Sequence, residues 1–181
     1  MKKSLGAQTL IYPTPNWIIG SYDENGKPNV MAAAWCGICC SKPPCAAVSL
    51  RKATYTYGCI MKRRAFTVNV PSEKYAAEAD FFGIASGLTP VRSDLVDAPY
   101  VGEFPLILEC RVLLVHEIGL HTQFVGEILD VKADDDLLDE KGFPDIEKVQ
   151  PIIYAPTVRK YYGIGKYLGA GYNLGRNIGK K

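Results

Sequence analysis

Residues 29 to 56 read NVMAAAWCGICCSKPPCAAVSLRKATYT, and the fold is decided by how this stretch is parsed. It opens as a strand of small residues, reaches a single Trp, crosses a Cys- and Pro-rich loop, returns as the strand CAAVSLR and ends at a Thr-rich helix start. Ala32, Ala33 and Ala34 leave a flat strand surface on which backbone amides can approach a planar ligand, and Trp35 adds a rigid stacking face. Asn29 and Trp35, six residues apart on one ribbon, are expected on the same face. Beyond the second strand, Ser49 and Arg51 precede Thr54 and Thr56, hydroxyls suited to capping a helix over YTYGCIMKRR. A guanidinium beside a helix start is a place for a phosphate monoester. The stretch therefore reads as a receptor for a flat, phosphorylated cofactor.

Upstream, LIYPTPNWIIGSY gives an extended entry and a strand, with Pro13 and Pro15 excluding helix, and Asn25-Gly26 marks a hairpin turn into the ribbon. Downstream, AFTVNVP is a strand and SEKYAAEADFFGIASG a helix, capped by Ser72 and stopped near Gly87. Residues 88 to 105 form a long irregular connection carrying Arg92. LILECRVLLVHEI and HTQFVGEILDVKAD are two long strands around Gly119. Some six antiparallel strands with helices inserted between hairpins predict a mainly β protein, an antiparallel barrel with peripheral helices, formed by residues 1–181 as a single domain.

Composition narrows the function classes. The 181 residues are 48% hydrophobic and 22% charged with a net charge of +2, as expected of a globular domain. No apolar run reaches the length of a membrane span and the N-terminal stretch lacks a signal peptide's apolar core, so a cytoplasmic protein without a membrane partner is expected. The six Cys, four of them at 36, 39, 40 and 45, are read as free thiols. Their CxxC step lacks a second matching pair, so no metal is assigned, and HEIGLH is one residue too long for the zinc-protease HExxH pattern. His116 follows Leu108, Cys110, Val112 and Leu114 and is expected on a core or interface face. The basic, Tyr-containing tail is set against the acidic stretch at 134 to 140, and nucleic acid is not expected as a partner.

The order and spacing of PTPNW, NVMAAAW, CSKPPCAAVSLRKATYT, FTVNVP, ASG, LEC, HTQFVGEI and the Tyr/Gly tail resemble the flavin reductase-like family of FMN-binding split barrels, and within it most of all the flavoredoxins. The CGICC segment is richer in Cys than that pattern. The resemblance implies a split-barrel homodimer that binds FMN, exchanging electrons with small-molecule or protein donors and acceptors, with NADH or NADPH as a possible donor. It carries the flavin contacts onto Asn29, Ala33, Ala34, Trp35, Ser49, Leu50, Arg51, Thr54, Thr56, His121 and Arg92, the last standing where the family has Lys. An aromatic that closes over the flavin falls on Tyr161 or Tyr162, with Tyr162 assigned. No residue is assigned as a catalytic acid or base, since the redox chemistry belongs to the cofactor. The implied activity is that of an NAD(P)H:flavin oxidoreductase or a flavoredoxin-type electron carrier. The alternative from another class is a non-catalytic binding protein for a phosphorylated metabolite, or for a metal held by the Cys-rich loop.

Overall fold

A computed structural model describes residues 1–82, 90–176 and 178. The chain runs through β1 (Thr14–Pro15), β2 (Trp17–Tyr22), β3 (Pro28–Ala33), β4 (Cys36–Ser41) and β5 (Pro44–Arg51), then helix α1 (Tyr55–Arg63) and β6 (Ala65–Val70). A 3₁₀ turn at Glu73–Tyr75 leads into α2 (Ala76–Phe82), and the short strands β7 (Pro90–Arg92) and β8 (Pro99–Val101) follow. The long strands β9 (Leu106–Ile118) and β10 (His121–Ala133) come next, then α3 (Ile146–Val149), β11 (Ile153–Ala155) and β12 (Lys160–Tyr162). The expected stop at Gly87, with the ASG segment, lies outside the described residues.

Seven strands form one antiparallel sheet in the order β3-β2-β6-β9-β10-β5-β4. It curls until its two ends meet: β3 passes into β4 through Trp35, whose carbonyl accepts a 2.9 Å bond from the Ser49 amide of β5. Inside lies a core of Ile19, Val48, Leu50, Phe66, Val68 and Phe124. Strand alternation sends the neighbouring Ile18 to a second core with Ala79, Phe82 and Phe104, which holds α2 against the outside. The mainly β, antiparallel barrel with few helices is thus the fold the sequence predicts. At Gly126 a Cβ would meet the Phe66 ring at 2.5 Å, so the barrel interior requires glycine there.

The Asn25-Gly26 turn is present, with Gly26 at φ +79° and the Asp23 carboxylate accepting from the Asn25 and Lys27 amides. The β9–β10 hairpin also forms as expected, turning at Gly119 with φ +51°.

Several expectations need correction. The segment CGICCS is strand β4, paired with β5, and not a loop, because the Lys42–Pro43 turn folds it back onto its neighbour. His116 does not face the core: it is exposed in the single chain, as is Leu114. The pairing of β9 with β10 shifts at Val125/Gly126, and the extra residue, Leu113, reverses which side chains face inward beyond it. Thr54 stands at the N-terminus of α1 and Ser72 precedes the 3₁₀ turn, yet neither side chain caps; the Thr54 hydroxyl donates instead to the Arg51 carbonyl at 2.8 Å. The tail supplies two short strands, so that β1, β11 and β12 form a separate three-stranded sheet.

Candidate functional site

The small sheet leans over the open end of the barrel, and between the two lies a cavity of about 400 Å³. Its volume is in the range of small-molecule and cofactor sites. One wall comes from the end of β3 and the chain after it: Met31, Ala32, Ala33, Ala34 and Trp35. Ser49, Leu50 and Arg51 of β5, Thr54 before α1, and His121 of β10 continue that wall. Asn16, just before the pairing of Trp17 with Ala33, continues that edge, and Tyr154 and Tyr161 of the small sheet complete the lining.

Register explains why these side chains converge. β5 and β10 pair with His121 opposite Arg51, which brings a ring and a guanidinium to the same rim. The His121 and Trp35 rings lie parallel within 10°, their centres 6.1 Å apart. Trp35 is 44% exposed, which rules out the reading of it as an ordinary core aromatic. Across the cavity, Tyr154 pairs with Tyr161 on adjacent strands, ring centres 5.1 Å apart. The Tyr161 hydroxyl donates to the Asp80 carboxylate of α2 at 2.9 Å, tying the small sheet to the barrel. Burial first, and then this bond, push the Tyr161 phenol up to about 12.

Eight of the twelve residues assigned from sequence line this cavity: Ala33, Ala34, Trp35, Ser49, Leu50, Arg51, Thr54 and His121. Asn29 and Thr56 stand behind the wall. The Asn29 amide donates to the buried Thr56 hydroxyl at 2.7 Å, joining β3 to the first turn of α1. Asn29 and Trp35 do not share a strand face, because β3 ends at Ala33 and Trp35 occupies the bend that follows. Arg92 is exposed on β7, outside this cavity and close enough to Tyr22 for its charge to act on that phenol. Tyr162 also lies outside it, lining a second cavity with Tyr12, Pro13, Ile153 and Val158. Successive residues of β12 face opposite sides, so Tyr161 enters the first cavity.

Asn16, Met31 and Tyr154 have no counterpart in the sequence assignment. An amide beside an apolar strand, in PTPNWII, was the available signal for Asn16. Tyr154 was legible only as a strand residue.

The electrostatics suit an anionic, planar guest. Among the described residues the Arg51 guanidinium makes no ion pair, while the adjacent Lys52 is paired with Glu117. Cys36, next to Trp35, is held protonated because burial pushes its thiol far up, so it supplies no thiolate to the cavity. Among the described residues no three His, Cys, Asp or Glu side chains gather so as to hold a metal, and no helix is long and apolar enough to cross a membrane. The residues present fit FMN: an alanine-paved wall and Trp35 would take the ring, and Arg51 with Ser49 and Thr54 the phosphate.

Known proteins share this chain's sequence pattern and fold. The model of the flavin reductase like domain matches residues 9–164. Flavoredoxin of Desulfovibrio vulgaris (Miyazaki F) is 53% identical and superposes with a TM-score of 0.92 over 97% of this chain and 100% of its own. Flavoredoxin from Methanosarcina acetivorans is 29% identical with a TM-score of 0.92, over 98% of this chain and 99% of its own. An uncharacterized protein of Archaeoglobus fulgidus is 36% identical over 146 residues, 75% of this chain and 80% of its own. With its barrel, its cavity and this match along most of its length, the chain belongs to the flavin reductase-like family.

Proposed function

We propose that this protein is an FMN-binding redox protein that takes electrons from a donor and passes them on through the flavin. The observation that carries the reading is the meeting, in one cavity, of a flat alanine wall, a half-exposed Trp35 and an Arg51 that has no acidic partner among the described residues. Bound flavin supplies the redox chemistry, accepting and returning electrons singly or in pairs. The chain's residues bind and orient it. Ala32 to Ala34 let the ring approach the backbone, while Trp35 and His121 close one flank. Tyr161 and Tyr154 screen the opposite side from water. Arg51, Ser49 and Thr54 receive the phosphate, with guanidinium charge supplying most of the attraction.

The electron donor is NADH, NADPH or a reduced protein, and the acceptor a small molecule or a second protein. Likeness to flavoredoxins over nearly the whole chain supports a carrier that retains its FMN, and the family's description supports a reductase. The working form is a cytoplasmic homodimer. Its support is the row of exposed Leu113, Leu114, Ile118 and Leu120 at the far end of the β9–β10 hairpin, apolar surface that a monomer leaves in water.

The visible spectrum of freshly purified protein, followed by titration with FMN and with riboflavin, tests the reading. Flavin bands and tighter binding of FMN than of riboflavin are expected. A colourless protein that quenches the fluorescence of neither would sink it. Oxidation of NADH or NADPH with excess FMN then separates the two activities, since a carrier alone would not raise turnover above that of free flavin.

A further inference from the structure

Two buried asparagines in this protein are used in opposite ways. Asn69, on β6, is fully engaged: its amide donates to the Ile18 carbonyl at 2.8 Å and to the Thr67 hydroxyl at 2.9 Å, and its oxygen accepts from the Val101 amide at 2.7 Å. Asn16 is 3% exposed, yet among the described residues its amide nitrogen has no hydrogen-bond partner. Buried polar groups in native proteins are almost always paired, so an orphaned one at a cavity wall asks what completes it. Of the other side-chain atoms in this condition, the Ser72 and Ser93 hydroxyls, neither borders this cavity.

The position of Asn16 is set by its flanks. β1 pairs with β11, Thr14 opposite Tyr154, and β2 enters the barrel directly after Asn16. The side chain is therefore held at the seam between the two sheets, beside the alanine strand, since the next residue, Trp17, pairs with Ala33. Its free group is a neutral donor. It suits a carbonyl oxygen or an unprotonated ring nitrogen, whereas charge recognition in this cavity falls to Arg51.

We infer that Asn16 is a ligand-binding residue, donating a hydrogen bond to an acceptor atom on the rim of the planar ring that the cavity holds. This rests on the FMN reading above; the acceptor atoms on the rim of an isoalloxazine belong to its pyrimidine edge. That edge gains electron density on reduction, so the bond strengthens in the reduced state and raises the flavin's potential.

The test compares the wild type with Asn16→Leu, which keeps the bulk and removes the donor, and Asn16→Asp, which keeps the shape and turns an acceptor toward the ring. Three quantities are read: thermal stability of the flavin-free protein, the FMN dissociation constant, and the potential of bound FMN. The inference expects Asn16→Leu to leave flavin-free stability unchanged or higher, weaken FMN about tenfold and move the potential to more negative values. Asn16→Asp weakens FMN at least as much. FMN binding and potential equal to wild type in either folded variant overturn the inference and leave the FMN reading intact. A variant that binds FMN normally but loses its dimer assigns the amide to a subunit contact and overturns it too. Wild-type protein that binds no FMN overturns the reading on which the inference rests.

Discussion

Glu109 and Asn16 are both polar, both buried, and belong to two regions of opposite character. Glu109, in the first half of β9, is 0% exposed and saturated: its oxygens accept from the Asp94 and Leu95 amides at 3.2 and 2.7 Å, and Lys132 of β10 lies 3.2 Å away. Lys132 is held in turn by Asp130 and Asp94, Asp130 first, and its ammonium is pushed above the usual lysine range. That knot pins the loop after β7 to the barrel. At the cavity the Asn16 amide is unpaired, and so, among the described residues, is the Arg51 guanidinium. Where every donor and acceptor is matched, polar groups hold the fold. Where they are left open beside a cavity, they are available to a ligand, and the desolvation cost is carried until one binds.

The comparison can be broken most forcefully at the knot. Glu109→Ala leaves two backbone amides and a cation without their buried acceptor, and we expect a loss of about 3 kcal/mol in urea denaturation, with FMN affinity of the folded protein unchanged. A smaller loss of stability accompanied by loss of FMN would mean that the knot serves the site. At the cavity the pattern reverses: Arg51→Ala is expected to weaken FMN by about 10- to 100-fold, to leave riboflavin affinity nearly unaltered, and to keep the denaturation midpoint of the flavin-free protein. Equal losses for FMN and riboflavin would remove Arg51 from the phosphate.

The Tyr161–Asp80 bond beside the cavity gives a pH signature. The Tyr161 phenol titrates in the folded protein near 12, above its ordinary value of 10.0, so its contribution is complete below pH 10 and falls away as pH rises toward 12. Tyr161→Phe is expected to abolish that alkaline decline while costing no more than about 1 kcal/mol at neutral pH, measured by denaturation across the range. The smallest effect belongs to Thr54→Ala. Because the hydroxyl makes no cap bond, stability should change by about 0.5 kcal/mol or less, against the ~1 kcal/mol typical of a helix cap. A larger loss would restore the capping role.

Much of this was legible in the chain. Period-two runs such as FTVNV and the paired strands around Gly119 announce antiparallel β structure, and Asn25-Gly26 announces its turn, because both depend on neighbours a few residues apart. Most of one cavity wall was legible for the same reason, since residues 33 to 35 and 49 to 54 are local runs of small, aromatic and hydroxyl side chains. The limits of that reading appear at Leu113, where one extra residue turns His116 outward, and at β4, where a Cys-rich segment taken for a loop pairs along β5.

Composition and short-range pattern alone therefore determined the antiparallel β architecture and most of the cavity lining near Trp35. The rest of the lining was decided only by tertiary structure. Asn16, Tyr154 and Tyr161 come from the two ends of the chain, and they meet because β1 pairs with β11 and β11 with β12. Strand pairing across more than a hundred residues is selected by the whole packed molecule, and with it which of two adjacent tyrosines faces the cavity and which amide is left without a partner.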